Sequence, residues 1–151
     1  MESQEGTLPL GSLNIEQLQN VQKSTEQEVQ SLTEQLTQLT TAQQRILSSK
    51  RLAKEFGKQP EGKEILLPLS GSVYVQGKLC DTSTAMVDLG TGYYALKTLE
   101  EAEEYFQRRA AVIKDNVDKG TQALVQRRQM YEAVTSVLQQ KMAAAQRQGA
   151  S

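Results

Sequence analysis

The chain has 151 residues with no histidine, no tryptophan and one cysteine, and its 17 Lys and Arg against 18 Asp and Glu leave a net charge of −1. The missing histidine takes away the commonest general base and metal ligand and every Ser-His or Cys-His nucleophile, while the near-neutral balance leaves no basic field for nucleic acid or anionic lipid. Aromatics at 5% are too few to fill a compact core, yet 38% hydrophobic residues are too many for a disordered chain, so an elongated fold with a thin apolar seam is expected.

The N-terminal stretch "MESQEGTLPLG" carries no basic region and no long apolar run, so it does not read as a secretory signal. No run of about 18 apolar residues occurs, so no membrane span is expected. Cys80, alone, allows no internal disulfide and suits a reducing compartment. Cytoplasm is the expected location, with the nucleus left open.

Residues 1–12 are polar and punctuated by Gly and Pro, and read as a mobile leader. From Asn14 to Phe56 there is no Gly or Pro. Asn14 followed by Gln17 has the spacing of a capping box. Leu18, Thr25, Leu32, Leu39, Ile46 and Ala53 recur every seventh residue, with Val21, Val29, Leu36, Ala42 and Phe56 between them. That period predicts a helix over about 14–56 with a coiled-coil seam, about 65 Å long at 1.5 Å per residue. "GKQPEG", Gly57–Gly62, supplies the glycine and proline that stop it.

Residues 64–97 change character. In "EILLPLSGSVYVQGKL", Ile65, Leu67 and Leu69 alternate, Ser70–Gly71 turns, and Val73, Tyr74 and Val75 return. Pro68 donates no ladder bond and predicts an edge or a bulge. "TAMVDLGTGYYALK" repeats the plan: Ala85, Val87 and Leu89 alternate, Gly90–Gly92 turns, and Tyr93, Tyr94 and Leu96 return. The "GTG" resembles a phosphate cradle only superficially. Such a loop places its glycines directly at a helix N-terminus, and here Tyr93–Lys97 intervene with no Gly-Lys-Ser/Thr. It is expected to be a hairpin bend.

A second helix is expected over about 99–146, with Thr98 and Glu101 as its capping box. Its seam is Phe106, Ala110, Ile113, Val117, Leu124, Tyr131, Val134, Leu138 and Ala145, with Gly120, Arg127 and Lys141 as imperfect positions. Two stripes of similar length must be buried on something, and the simplest partner for each is the other, antiparallel. The fold class is therefore α+β: a long antiparallel two-helix coiled coil with two central β-hairpins. Four short strands apolar on both faces leave open edges, and about eight strands are needed to close an ordinary barrel. Other chains are expected to complete it. The surfaces expected to face them are Leu66, Leu67, Leu69, Val73, Tyr74, Val75 and Leu79 of the first hairpin. Met86, Val87, Leu89, Tyr93, Tyr94 and Leu96 are their counterparts in the second.

Helix, two hairpins, helix is also the plan of the α-type prefoldin subunits. "LNIEQL", "EGKEILLPLSGSVYVQGKL" and "VDLGTGYYALKTLEEAEEYF" resemble the corresponding stretches of that family, its subunit 5 branch above all, and the likeness runs from Leu13 to Ala145. The resemblance implies a prefoldin-like domain over 13–147, followed by a tail at 148–151. It also implies an ATP-independent co-chaperone with no cofactor. In that family two α-type and four β-type subunits join their strands into a β-barrel platform that carries six coiled coils. Their far ends hold non-native chains, notably actin and tubulin, for delivery to the group II chaperonin.

Antiparallel pairing brings Asn14–Val21 beside Val134–Met142, so Leu13, Ile15, Leu18, Val21, Leu138 and Met142 are the candidate client contacts. Met and Leu near a helix end make adaptable apolar surface. The competing reading gives these residues to the seam. A non-chaperone coiled-coil adaptor is the alternative function. An enzyme is not expected: Asp81, Asp88 and the Glu100–Glu104 cluster lack metal-ligand spacing and read as a solvated face.

Overall fold

The computed structural model describes residues 10–149. A short 3-10 turn, Leu10–Ser12, precedes helix α1, Ile15–Phe56. Strands β1 (Glu64–Pro68) and β2 (Tyr74–Lys78) follow, then β3 (Thr84–Gly90) and β4 (Tyr93–Thr98), and helix α2 occupies Leu99–Gly149. The 1–12 leader expected from the sequence lies outside the described residues as far as Pro9. The side chains of the 148–151 tail lie outside them as well.

Both helices start on the reciprocal contacts that their sequences encode. Asn14 N donates to Gln17 Oε1 at 3.0 Å and Gln17 N to Asn14 Oδ1 at 2.7 Å. At α2, Thr98 N donates to Glu101 Oε2 at 3.1 Å and Glu101 N to Thr98 Oγ1 at 3.3 Å. Each box satisfies two of the amides that a helix start leaves without an internal acceptor.

The four strands form two separate two-stranded antiparallel sheets, β1–β2 and β3–β4. In the first, Leu66 lies opposite Gln76 and Leu67 opposite Val75. Its loop is longer than the Ser70–Gly71 bend expected, because Leu69 N and Ser70 N both donate to Val73 O, leaving Leu69 and Val73 outside the strands. In the second, Met86 pairs with Leu96, Val87 with Ala95 and Asp88 with Tyr94 before a bulge shifts the register to Gly90 and Tyr93. The "GTG" is the hairpin bend. Gly90, Thr91 and Gly92 all have positive φ (95°, 54° and 82°), and Asp88 Oδ1 accepts from Gly90 N at 2.8 Å. Strand β4 separates these glycines from α2, so their amides do not form a helix-terminal anion site.

Two compact units divide the chain. One combines the part up to Gln38 with the part from Asn116; the other is Leu39–Asp115. In the first, contacts climb α1 while descending α2: Gln22 Nε2 donates to Thr135 Oγ1 at 2.8 Å, and Glu28 pairs with Arg127 at 3.0 Å. Its core is Leu18, Val134 and Leu138, with Thr25 also buried and its hydroxyl bonded to Val21 O at 2.8 Å. The three imperfect seam positions have separate explanations. Gly120 makes room for Leu36, Arg127 takes Glu28, and Lys141 bonds the main chain of Gly11 and Leu13.

In the second unit, Gln43 Nε2 reaches Ala110 O at 3.5 Å and Lys50 Nζ reaches Gln107 Oε1 at 2.9 Å, again antiparallel. Its core is Ala53, Val87, Leu99 and Ala102, packed by Phe56, Ala85, Tyr105 and Phe106. Gly57 does not end α1 by a left-handed turn, since its φ is not positive. Its bareness serves Leu99 instead: a Cβ there would sit 2.7 Å from Leu99 Cδ1.

Candidate functional site

No catalytic constellation assembles from the carboxylates singled out in the sequence; Asp81, Asp88 and Glu101 are exposed to solvent, as expected, and also build local structure. Asp81 Oδ1 accepts from Ser83 N (2.7 Å) and Ser83 Oγ (2.6 Å), and Asp81 Oδ2 accepts from Thr84 Oγ1. These donors pull the Asp81 carboxyl down to about 2, the Ser83 hydroxyl first. Asp88 holds the bend and Glu101 caps α2. Among the described residues, no group of three His, Cys, Asp or Glu is placed to hold a metal.

What the hairpin unit presents is apolar surface. Alternation along β3 sends Ala85 and Val87 toward the helices and Met86 away from them. Val87 is 3% exposed and belongs to the chain's own core, which corrects its placement among residues facing other chains. The reason is that α1 and α2 cover one face of β3–β4, through Ala53 and Ala102. The opposite face is bare: the cross-strand partners Met86 and Leu96 are 71% and 68% exposed, with Tyr94 exposed beside them, while Tyr93 is exposed next to the bend.

The first hairpin has no such cover. Leu66, Leu67, Leu69, Val73, Tyr74 and Val75 are all exposed, on both of its faces, while Leu79 is half-buried. Leu89 lies at the bulge of the second hairpin and stays exposed, its carbonyl accepting from Arg109 Nη1 at 3.3 Å. Arg109 also donates to the Tyr105 hydroxyl at 2.8 Å, so a side chain braced along α2 links the helix to the bulge of this hairpin. An open groove of about 690 Å³ adjoins the bare face, lined by Leu52, Phe56, Ala85, Met86 and Phe106. Leu52 is exposed and lies off the heptad stripe, which is why periodicity did not select it.

The helix-end unit brings together five of the six candidate client residues. Leu18 and Leu138 are buried, with Leu13, Ile15 and Val21 packed half-buried against them. For Leu18 and Leu138 the seam reading prevails over an exposed contact, because Leu18 of α1 packs with Val134 and Leu138 of α2 in one buried cluster. Met142 is the sixth and is 43% exposed. Sequence reasoning missed Leu10, which packs on this same cluster from within the presumed leader. Its three-residue spacing from Leu13 was the available signal.

Comparison with known proteins fits these surfaces. The family model described as "Prefoldin subunit" matches residues 25–144. "Prefoldin subunit 5" of Homo sapiens is 34% identical over 136 residues, covering 90% of this chain and 88% of that protein. "Probable prefoldin subunit 5" of Drosophila melanogaster is 35% identical over 138 residues, covering 91% and 82%. A filamentous PFD from Methanocaldococcus jannaschii, determined by cryo-EM, shares the fold at a TM-score of 0.67 and 18% identity, covering 78% of this chain and 97% of its own. With its helix pair, its two hairpins and a family match over most of its length, the chain belongs to the prefoldin subunit family, a chaperone-type family.

Proposed function

We propose that the chain is an assembly-dependent holdase subunit working in the cytoplasm, with the nucleus as a further compartment. Its hairpins join those of other α- and β-type prefoldin subunits in a shared β-barrel. Its helix ends, together with theirs, hold non-native polypeptides such as actin and tubulin chains and pass them to the group II chaperonin without ATP.

The single observation that carries this reading is the bare hairpin surface. Two-stranded sheets leave every strand with one unpaired edge, and Met86, Leu96 and Tyr94 stay in water on the face turned from the helices. An isolated two-stranded hairpin is marginal in water, and an exposed apolar edge invites another strand. The relatives named prefoldin subunit 5 support the same assignment.

Client contact through one chain is weak by this account. One or two side chains contribute about 1.5–3 kcal/mol each before ordering costs, so several helix ends on one platform must act together. The test is the mass of the species formed alone and with the other prefoldin subunits, followed by light scattering from denatured actin with the assembled complex. A hexamer that suppresses aggregation supports the reading. A stable lone monomer with dispersed strand signals removes the assembly half. A hexamer that binds one folded partner and leaves denatured actin unprotected points to an adaptor instead.

A further inference from the structure

We propose that Leu10–Leu13 sits on the helix-end unit as an internal stand-in for an unfolded chain, held by the contacts that a client segment takes over. The inference rests on the holdase reading above and says how that site recognises its substrate. Leu10 and Leu13 pack on the cluster of Leu18, Val134 and Leu138. Between and beside them, Lys141 Nζ donates to the carbonyl of Gly11 at 2.7 Å and also to the carbonyl of Leu13. The seat thus reads two things at once: apolar side chains three residues apart, and main-chain carbonyls next to them.

That combination distinguishes unfolded from folded polypeptide. An ammonium offers three donors, and donors spent on main-chain carbonyls carry no preference for side-chain identity. In a folded protein more than about nine-tenths of buried carbonyls are already paired, whereas an unfolded segment presents them free beside exposed leucines. A holdase needs this tolerance. The resident segment is also lightly held, being one three-residue turn whose Leu10 is only half-buried.

A resident competitor lowers apparent client affinity by the fraction of time it occupies the seat. Two substitutions in the assembled complex therefore act in opposite directions. Leu10→Ser weakens only the resident segment, so the dissociation constant for labelled, reduced and carboxymethylated α-lactalbumin falls, by about threefold to tenfold. Lys141→Met keeps the aliphatic stem but removes the carbonyl donor from both occupants, so the direct loss of client contact raises that constant. Helicity and complex mass are measured for both variants to confirm that assembly is intact. Opposite shifts support the proposal. Shifts of the same sign, or none, in complexes that do bind the probe overturn it while leaving the holdase reading standing. No binding by the wild-type complex overturns both.

Discussion

The Cδ2 methyl of Leu36 lies where a side chain on Gly120 would go, 2.8 Å from the Cβ such a residue would carry. Leu36 is only half-buried, so the end of its side chain can turn aside. Removing a helix-interior glycine gains about 1 kcal/mol of propensity, which exceeds that small adjustment. Gly120→Ala is expected to raise the thermal midpoint followed by circular dichroism. Gly57→Ala should do the reverse, losing about 1–3 kcal/mol, because the methyl it meets belongs to Leu99, locked among Ala53, Val87 and Ala102. Equal effects at the two sites would refute the distinction.

The two faces of β3–β4 make a second expectation. Met86→Lys with Leu96→Glu replaces an exposed apolar pair by an opposite-charge pair at the same register, which leaves the hairpin intact. Size-exclusion chromatography should then find the chain folded and unassembled. Val87→Ala, on the covered face, should cost about 1–3 kcal/mol of stability and spare assembly of the folded fraction. If the double variant assembles as the wild type does, the bare face is not the interface.

At the helix ends, Leu18 and Met142 separate packing from contact. Leu18 is fully buried, and Leu18→Ala should cost about 2–5 kcal/mol in denaturant unfolding. Met142→Ser changes an exposed side chain and should move stability by less than about 0.5 kcal/mol. Under the proposed function it should still weaken suppression of actin aggregation. Full suppression by Met142→Ser would take that residue out of the client site.

Asp81 makes the fourth expectation, one of pH. Its carboxyl titrates at about 2 in the folded chain against 3.8 ordinarily, because Ser83 and Thr84 donate to the ionised form. A depressed folded value means that its contribution is complete above 3.8 and is lost as pH falls toward 2. Thermal midpoints should therefore drop across that window, and Asp81→Asn should flatten the drop while lowering stability at neutral pH. An unchanged slope in Asp81→Asn would assign acid sensitivity to other carboxylates.

Much of the architecture is legible along the chain because its determinants are local. A capping box needs four residues, a hairpin bend needs its glycines, and a heptad stripe repeats often enough to stand out. Asn14 with Gln17, Thr98 with Glu101, and Gly90–Gly92 each reached the geometry their spacing implies. The boundary of the first hairpin was less legible, since Leu69 and Val73 look like strand residues but serve a five-residue loop. Gly57 marks the end of α1 as its sequence implies, and a role that no local pattern records is that its missing side chain admits Leu99.

By itself, then, the sequence determined the order of elements, the antiparallel seam and the excess of apolar strand residues, all set by periodicity and short-range hydrogen bonding. Only the tertiary structure decided which of those residues the chain keeps for itself. Val87 is covered by Ala53 and Ala102, and Leu18 by Val134. Lys141 reaches carbonyls 128 and 130 residues away in the chain. Burial depends on contacts between distant segments, and no local pattern records which face of an amphipathic strand or helix will find its cover at home.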